Sequence, residues 1–222
     1  MKKIILGPPG TGKTQRLLEI IRHHLDNKIA PNDIGCFTFS KRAQLEITKR
    51  AQDDFGLSED DVECFRTLHS MCFRGLGLKP SQKMGPADYA AFAEEMNLSI
   101  AIHPYTEYDE PYFTPECEEA KLIEHARHKY PDENPLSSLR KQFDLNEHEA
   151  DVDWINLEAF ARGLKVYKEE NKKLDWTDFL EKGWKNAKFP TFKIVLIDEA
   201  QDLSKLQWKV VEKISNGVDY LY

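Results

Sequence analysis

The chain has 222 residues, 41% hydrophobic and 31% charged, with a formal net charge of −7. That length fits one large domain or one domain carrying a smaller one, and the acidity excludes a blanket nucleic-acid coat while leaving room for a local basic groove. No apolar run is long enough to span a bilayer. Cys36, Cys64, Cys72 and Cys117 form no Cys-x-x-Cys pair, so the thiols read as reduced and the chain as cytoplasmic.

Residues 2–6 are short, apolar and end at Gly7, which predicts a buried first strand. After the glycine-rich loop, Leu17, Leu18, Ile21 and Leu25 fall on one face of a predicted helix that ends near Pro31 and Asn32. Residues 34–39 read as a second strand, 41–55 as a helix with Ala43, Ile47 and Ala51 on one stripe, and 62–65 as a third strand. A further helix is expected from about Thr67. Strands alternating with helices over short connections predict an α/β fold with a parallel sheet flanked by helices.

Between about 80 and 174 prolines are frequent and strand-like runs scarce. Helical patterns at 87–96, 116–129 and 154–171 predict a helical insertion, with an ill-defined link around 103–114. His125 and His128 on the second of these read as solvated helix histidines in preference to metal ligands. The α/β pattern returns with a strand at 193–197, a helix at 203–215 and another apolar strand at 218–222. The expected division is a discontinuous unit of 1–78 and 175–222, interrupted by a helical subdomain at 79–174.

Two constellations carry chemistry. Gly7-Pro8-Pro9-Gly10-Thr11-Gly12-Lys13-Thr14 fits G-x-x-x-x-G-K-[ST] between a predicted strand and helix. Its glycines permit a tight turn in which backbone N–H groups approach phosphates. The helix N-terminus favours an anion, Lys13 would reach the β- and γ-phosphates, and the Thr14 hydroxyl would ligate Mg²⁺. The second is Ile194-Val195-Leu196-Ile197-Asp198-Glu199-Ala200-Gln201-Asp202. Its apolar strand delivers Asp198 to the carboxyl end of the sheet, where ligands bind in open α/β folds. Asp198 would hold the Mg²⁺ shell opposite Thr14, and Glu199 would deprotonate the attacking water.

Together these motifs resemble superfamily 1 DNA helicases of the UvrD/Rep type. Thr38-Phe39-Ser40-Lys41-Arg42-Ala43-Gln44-Leu45-Glu46-Ile47 is similar to the family's T-F-T-N-K-A-A-x-E-M segment, and Thr67-Leu68-His69-Ser70 to its T-x-H segment. Leu174-Asp175-Trp176-Thr177-Asp178-Phe179-Leu180 resembles L-D-F-D-D-L. The resemblance implies a RecA-like P-loop motor domain with ATP and Mg²⁺ as cofactors and single-stranded DNA as partner. It implies nucleotide contacts at Gly7, Gly10, Thr11, Gly12, Lys13, Thr14, Gln15 and Arg16, metal ligation through Thr14 and Asp198, and a catalytic set of Lys13, Asp198, Glu199 and Gln201. It further implies DNA contacts at Phe39, Ser40, Arg42, Thr67 and His69.

From the residues alone, Phe39 with Lys41, Arg42, Lys49 and Arg50 offers both an aromatic surface and positive charge. Phe39 reads equally as a core aromatic, His69 as a satisfied histidine near the core, and the basic residues as a solvated helix face. Where the family often has arginine directly after the motif's threonine, this chain has Gln15 and then Arg16. The glutamine-bearing segment that reads adenine is expected to fall outside the chain, as are the G-D-x-x-Q segment and the second motor domain with its arginine fingers. The reading is therefore the first motor domain of a DNA helicase or translocase, expected to bind nucleotide weakly, hydrolyse it slowly and not unwind DNA alone. A P-loop nucleotide or metabolite kinase and a non-motor ATP-gated DNA-binding module are the alternatives.

Overall fold

A computed structural model describes residues 1–7, 12–98, 117–145 and 152–222. Its centre is a four-stranded parallel sheet in the order β2-β1-β3-β4, formed by β1 (Ile34–Thr38), β2 (Phe65–Thr67), β3 (Ile194–Ile197) and β4 (Tyr220–Leu221). Every residue of β1 and β3 is buried, as a parallel sheet with both faces covered requires.

Side chains alternate across the pleat, and each face has its own helices. Ile34, Cys36, Ile194 and Leu196 pack toward α1 (Lys13–Asp26) and α2 (Lys41–Phe55), meeting Leu18, Ile21, Ile47 and Ala51. Phe37, Val195 and Ile197 pack the other way. They meet α3 (Leu68–Gly75) and two helices late in the chain, one at Trp176–Asn186 and one at Lys205–Ile214. A third apolar cluster draws all its buried residues from between Met84 and Tyr167. It lies among α4 (Pro86–Glu95), α5 (Glu118–Lys129), α6 (Pro135–Leu145) and α7 (Trp154–Glu170). The helices at Trp176–Asn186 and Lys205–Ile214 are then α8 and α9.

The α8–α3 seam is close because Gly183 has no side chain. A Cβ there would lie 2.8 Å from Cys72 Cβ and collide with its sulfur. Where the chain leaves the sheet region near Gln82 and returns near Leu174, the two strands of chain are bridged. Met84 N–H donates to Leu174 O at 2.9 Å and Leu174 N–H to Gln82 O at 2.8 Å.

Three expectations change. Residues 2–6 do not form a buried strand: only Lys2 bridges Leu221, and Ile4 and Leu6 are 85% and 88% exposed. The segment pairs with the sheet only along β4, itself two residues long, so Ile4 and Leu6 stay uncovered while Ile5 packs partly against the cluster beneath α1. The third strand is Phe65–Thr67 in place of 62–65, because residues 59–64 form turns and only Val62 among them is buried. The last strand shortens to Tyr220–Leu221, since Asn216 and Gly217 are still in the turn that closes α9. The expected link at 103–114 lies outside the described residues.

Candidate active site

β1, β2 and β3 all end on the same edge of the parallel sheet, so Thr38, Thr67 and Asp198 share the carboxyl end where ligands of such folds bind. α1 begins at this edge. Gly12, its N-cap, sits at φ 80°, a left-handed conformation that favours glycine. No side chain caps the first turn and it carries no acid, leaving its N–H groups suited to an anion.

Lys13 is the first helical residue. Its ammonium lies 3.1 Å from Glu199 Oε2 and 3.4 Å from Gly7 O. Thr14 is half-buried, and its hydroxyl has no protein partner among the described residues. Gln15 and Arg16 are exposed and turned elsewhere, Gln15 toward Arg50 on α2 and Arg16 toward Glu19 at 2.7 Å. Gly10 and Thr11 lie outside the described residues.

β3 holds Asp198 in place through Asp198 N–H, which donates to Phe37 O at 2.9 Å. The Asp198 side chain is buried, and burial followed by the charge of Glu199 raises its pKa. A carboxylate penalised in this way would be relieved by a cation. With the available Thr14 hydroxyl, these donors fit the hard, oxygen-seeking Mg²⁺.

Glu199 occupies φ 50°, a conformation costly for a non-glycine residue and held here by the turn Ala200–Asp202. Its carboxylate accepts from Gln201 Nε2 at 2.6 Å as well as from Lys13, and these contacts, Gln201 first, lower its pKa. Gln201 Nε2 also reaches Asp202 Oδ2 at 3.3 Å. Lys13, Asp198, Glu199 and Gln201 are thus neighbours.

The second group of expected residues divides. Phe39 is 46% exposed, so it is not a core aromatic, and Arg42 is exposed beside it. Ser40 caps α2, accepting from Ala43 N–H at 3.1 Å, and Thr67 caps α3, accepting from Ser70 N–H at 3.2 Å. Both hydroxyls are therefore engaged with backbone. His69 is buried, its ring nearly perpendicular to Trp176 at 5.6 Å, and burial lowers its pKa to about 4.

Two features escaped sequence reasoning. Arg127 is buried and bonded to Asp175 (2.9 Å), Asp178 (2.6 Å) and Glu181 (2.8 Å), while Lys168 reaches Asp175 and Asp178 at 2.7 Å each. Asp175 and Asp178 also form a reciprocal capping box at the start of α8. Next to Arg127, His128 meets Ser204, the cap of α9, at 2.8 Å and Thr177 at 3.3 Å. The partners of Arg127 and His128 lie 48 to 76 residues away, so no local pattern could signal them. The other feature is a groove at the carboxyl edge lined by Lys41, Arg66, Ser70, Phe73, Lys83 and Trp176 among others. Thr67, expected from the resemblance to contact DNA, also lines it.

No described helix is long and apolar enough to cross a membrane. A family model for the UvrD/REP helicase N-terminal domain matches residues 2–222. A search of curated proteins finds no match.

Proposed function

Because this chain belongs to the UvrD/REP helicase family through its N-terminal domain, we propose that it binds Mg-ATP at the Lys13–Glu199 site and single-stranded DNA across Phe39. Residues 1–78 and 175–222 would act as the motor unit and 79–174 as its helical insertion.

The observation that carries the nucleotide reading is the Lys13–Glu199 ion pair. It holds two reactive groups together, half-exposed, in a form that a triphosphate can separate. As β- and γ-phosphates enter against the first turn of α1, Lys13 transfers from the carboxylate to the phosphate oxygens. Glu199 is thereby released to take a proton from water as that water's oxygen bonds the γ-phosphorus and the bond to the β-phosphate oxygen breaks. Mg²⁺ held by Thr14 and Asp198 would neutralise charge on the phosphates. Gln201, bonded to Glu199, orients the carboxylate. Arg16 and Gln15 stand outside this set and are candidates for the ribose or base side.

For the nucleic acid, the exposed Phe39 ring gives a base a face on which to stack, and Arg42 gives a backbone phosphate a cation. Ser40 and Thr67 act here through the helix starts they cap. His69 acts from behind, fixing Trp176.

The test is Glu199→Gln and Phe39→Ala, assayed in parallel. Glu199→Gln should bind a fluorescent ATP analogue within about twofold of wild type while turnover falls about 100- to 10,000-fold. Wild-type turnover would assign the base elsewhere. Phe39→Ala should leave nucleotide affinity intact and weaken oligothymidylate binding about fivefold or more. Unchanged DNA affinity would remove Phe39 from the strand path.

A further inference from the structure

We infer that His128, on α5 of the insertion, is a positioning residue for the acidic turn: by holding Ser204 at the start of α9 it fixes the segment 199–203, and so the aim of the Glu199 carboxylate. This rests on the reading of Glu199 as the base of nucleotide hydrolysis and adds to it a residue from outside the nucleotide site.

Glu199 needs support from its surroundings. Its φ of 50° is costly for a residue with a side chain, and such a conformation persists only where neighbouring structure holds it. On the β3 side, Asp198 N–H is fixed to Phe37 O at 2.9 Å. On the other side the turn closes through Asp202 N–H to Glu199 O at 3.0 Å and a long Leu203 N–H to Ala200 O at 3.4 Å. Ser204 follows at once, so the far end of the turn goes where Ser204 goes.

Ser204 is held from two directions. Within α9 it forms a capping box: its hydroxyl accepts from Gln207 N–H at 3.2 Å, and its own N–H donates to Gln207 Oε1 at 2.8 Å. The hydroxyl proton is then left for His128 Nδ1, 2.8 Å away. Nδ1 is the acceptor in that arrangement, and the Nε2–H of the same ring donates to the buried Thr177 hydroxyl at 3.3 Å. Burial, with the charges of His69 and Arg127, holds the ring pKa at about 4, so the acceptor nitrogen is present at neutral pH. One neutral ring joins α5, α8 and α9.

Two further contacts join the same stretches. The Lys205 ammonium lies over the Tyr130 ring, 5.8 Å from its centroid, and Lys209 pairs with Asp132 at 2.7 Å. Ser204, Lys205 and Lys209 follow the opening turns of α9, and His128, Tyr130 and Asp132 the end of α5 and the residues just beyond it. The insertion therefore grips α9 at the end that adjoins the acidic turn. The apolar side of α9 rests on the sheet through Leu206, Val210, Val211 and Ile214. That seat fixes the helix as a body and leaves its first residue to polar contacts.

Steady-state Mg-ATP hydrolysis and amide hydrogen exchange on the whole chain test this, comparing wild type with His128→Ala, His128→Asn and His128→Gln. An asparagine amide falls near the place of Nδ1 and a glutamine amide near that of Nε2, so the first keeps the Ser204 contact and the second keeps the Thr177 contact alone. Alanine and glutamine should lower kcat about two- to tenfold, the scale of one hydrogen bond. Affinity for a non-hydrolysable ATP analogue should stay within about twofold of wild type. The Asp202 amide should exchange faster by a factor of about two to ten, while the Asp198 amide keeps its rate. Asparagine should restore both readouts, and the comparison of asparagine with glutamine stays readable if the alanine variant does not fold. Asparagine and glutamine behaving alike would overturn the inference, and so would a change in turnover without one in Asp202 exchange, or the reverse. If wild type hydrolyses no ATP, or Glu199→Gln hydrolyses it equally, the reading of Glu199 falls and takes the inference with it.

Discussion

Two pairs of carboxylates beside a lysine occur in this fold, Asp198–Glu199 and Asp175–Asp178, and they differ in how completely they are satisfied. In the first, the side chains of Lys13 and Glu199 are 23% and 39% exposed, and Lys13 has a single carboxylate partner. In the second, Arg127, Asp175 and Asp178 are about 10% exposed, and two cations are shared among three carboxylates. The first pair can exchange partners with a ligand; the second is closed and fastens α5 and α7 to α8. Both stretches resemble helicase segments in sequence, and only geometry separates a charge set for chemistry from one set for architecture.

Removing one member of the closed cluster should break that contrast most visibly. Arg127→Ala leaves Asp175, Asp178 and Glu181 with Lys168 alone, and uncompensated buried charge costs about 3–5 kcal/mol. Urea unfolding should report that loss; a change below about 1 kcal/mol would mean the cluster does not fasten the insertion. Glu199→Gln, at the open pair, should stay within about 0.5 kcal/mol of wild type, as surface substitutions do.

Acidification sharpens the same comparison. Burial lowers His69 from 6.5 to about 4, and burial together with the neighbouring His69 and Arg127 lowers His128 to about 4. The folded form therefore disfavours the protonated rings. Between pH 6.5 and 4 the unfolded chain binds protons that the folded chain does not, so stability falls as pH falls, by about 3 kcal/mol for each histidine at the outside. Asp175, held below its ordinary value by Arg127 and Lys168 despite burial, adds a loss below about pH 4 in the same direction. Thermal melts across this range should show the decline, and His128→Gln should flatten it. A flat wild-type profile would contradict the buried, neutral assignment.

Gly183→Ala should lose less than Arg127→Ala, costing about 1–3 kcal/mol through overpacking against Cys72. Unchanged stability would show that the α3–α8 seam can open.

Much of this was legible from local chemistry. The predicted helix at 41–55 matches α2 at both ends because Ser40 supplies its cap and Gly56 its left-handed stop. The Gly7–Thr14 motif and Asp198–Glu199 stood out in the sequence because each is a contiguous pattern, and the fold brings Lys13 to Glu199. Residues 2–6 were misread because an apolar run reports what could be buried, while burial depends on what pairs with it. α8 was seen only as a resemblance, since the capping box that starts it is the same Asp175 and Asp178 that bind Arg127. Phe39 stood even between core and surface until its exposure decided it.

The most direct measurement of the central claim is titration of a fluorescent ATP analogue with Mg²⁺ into wild type and Lys13→Ala, with circular dichroism confirming that both are folded. The open-pair account predicts saturable binding by wild type and at least about a tenfold loss in Lys13→Ala, the scale of losing a charge-assisted contact. Equal affinity in the two proteins would contradict it.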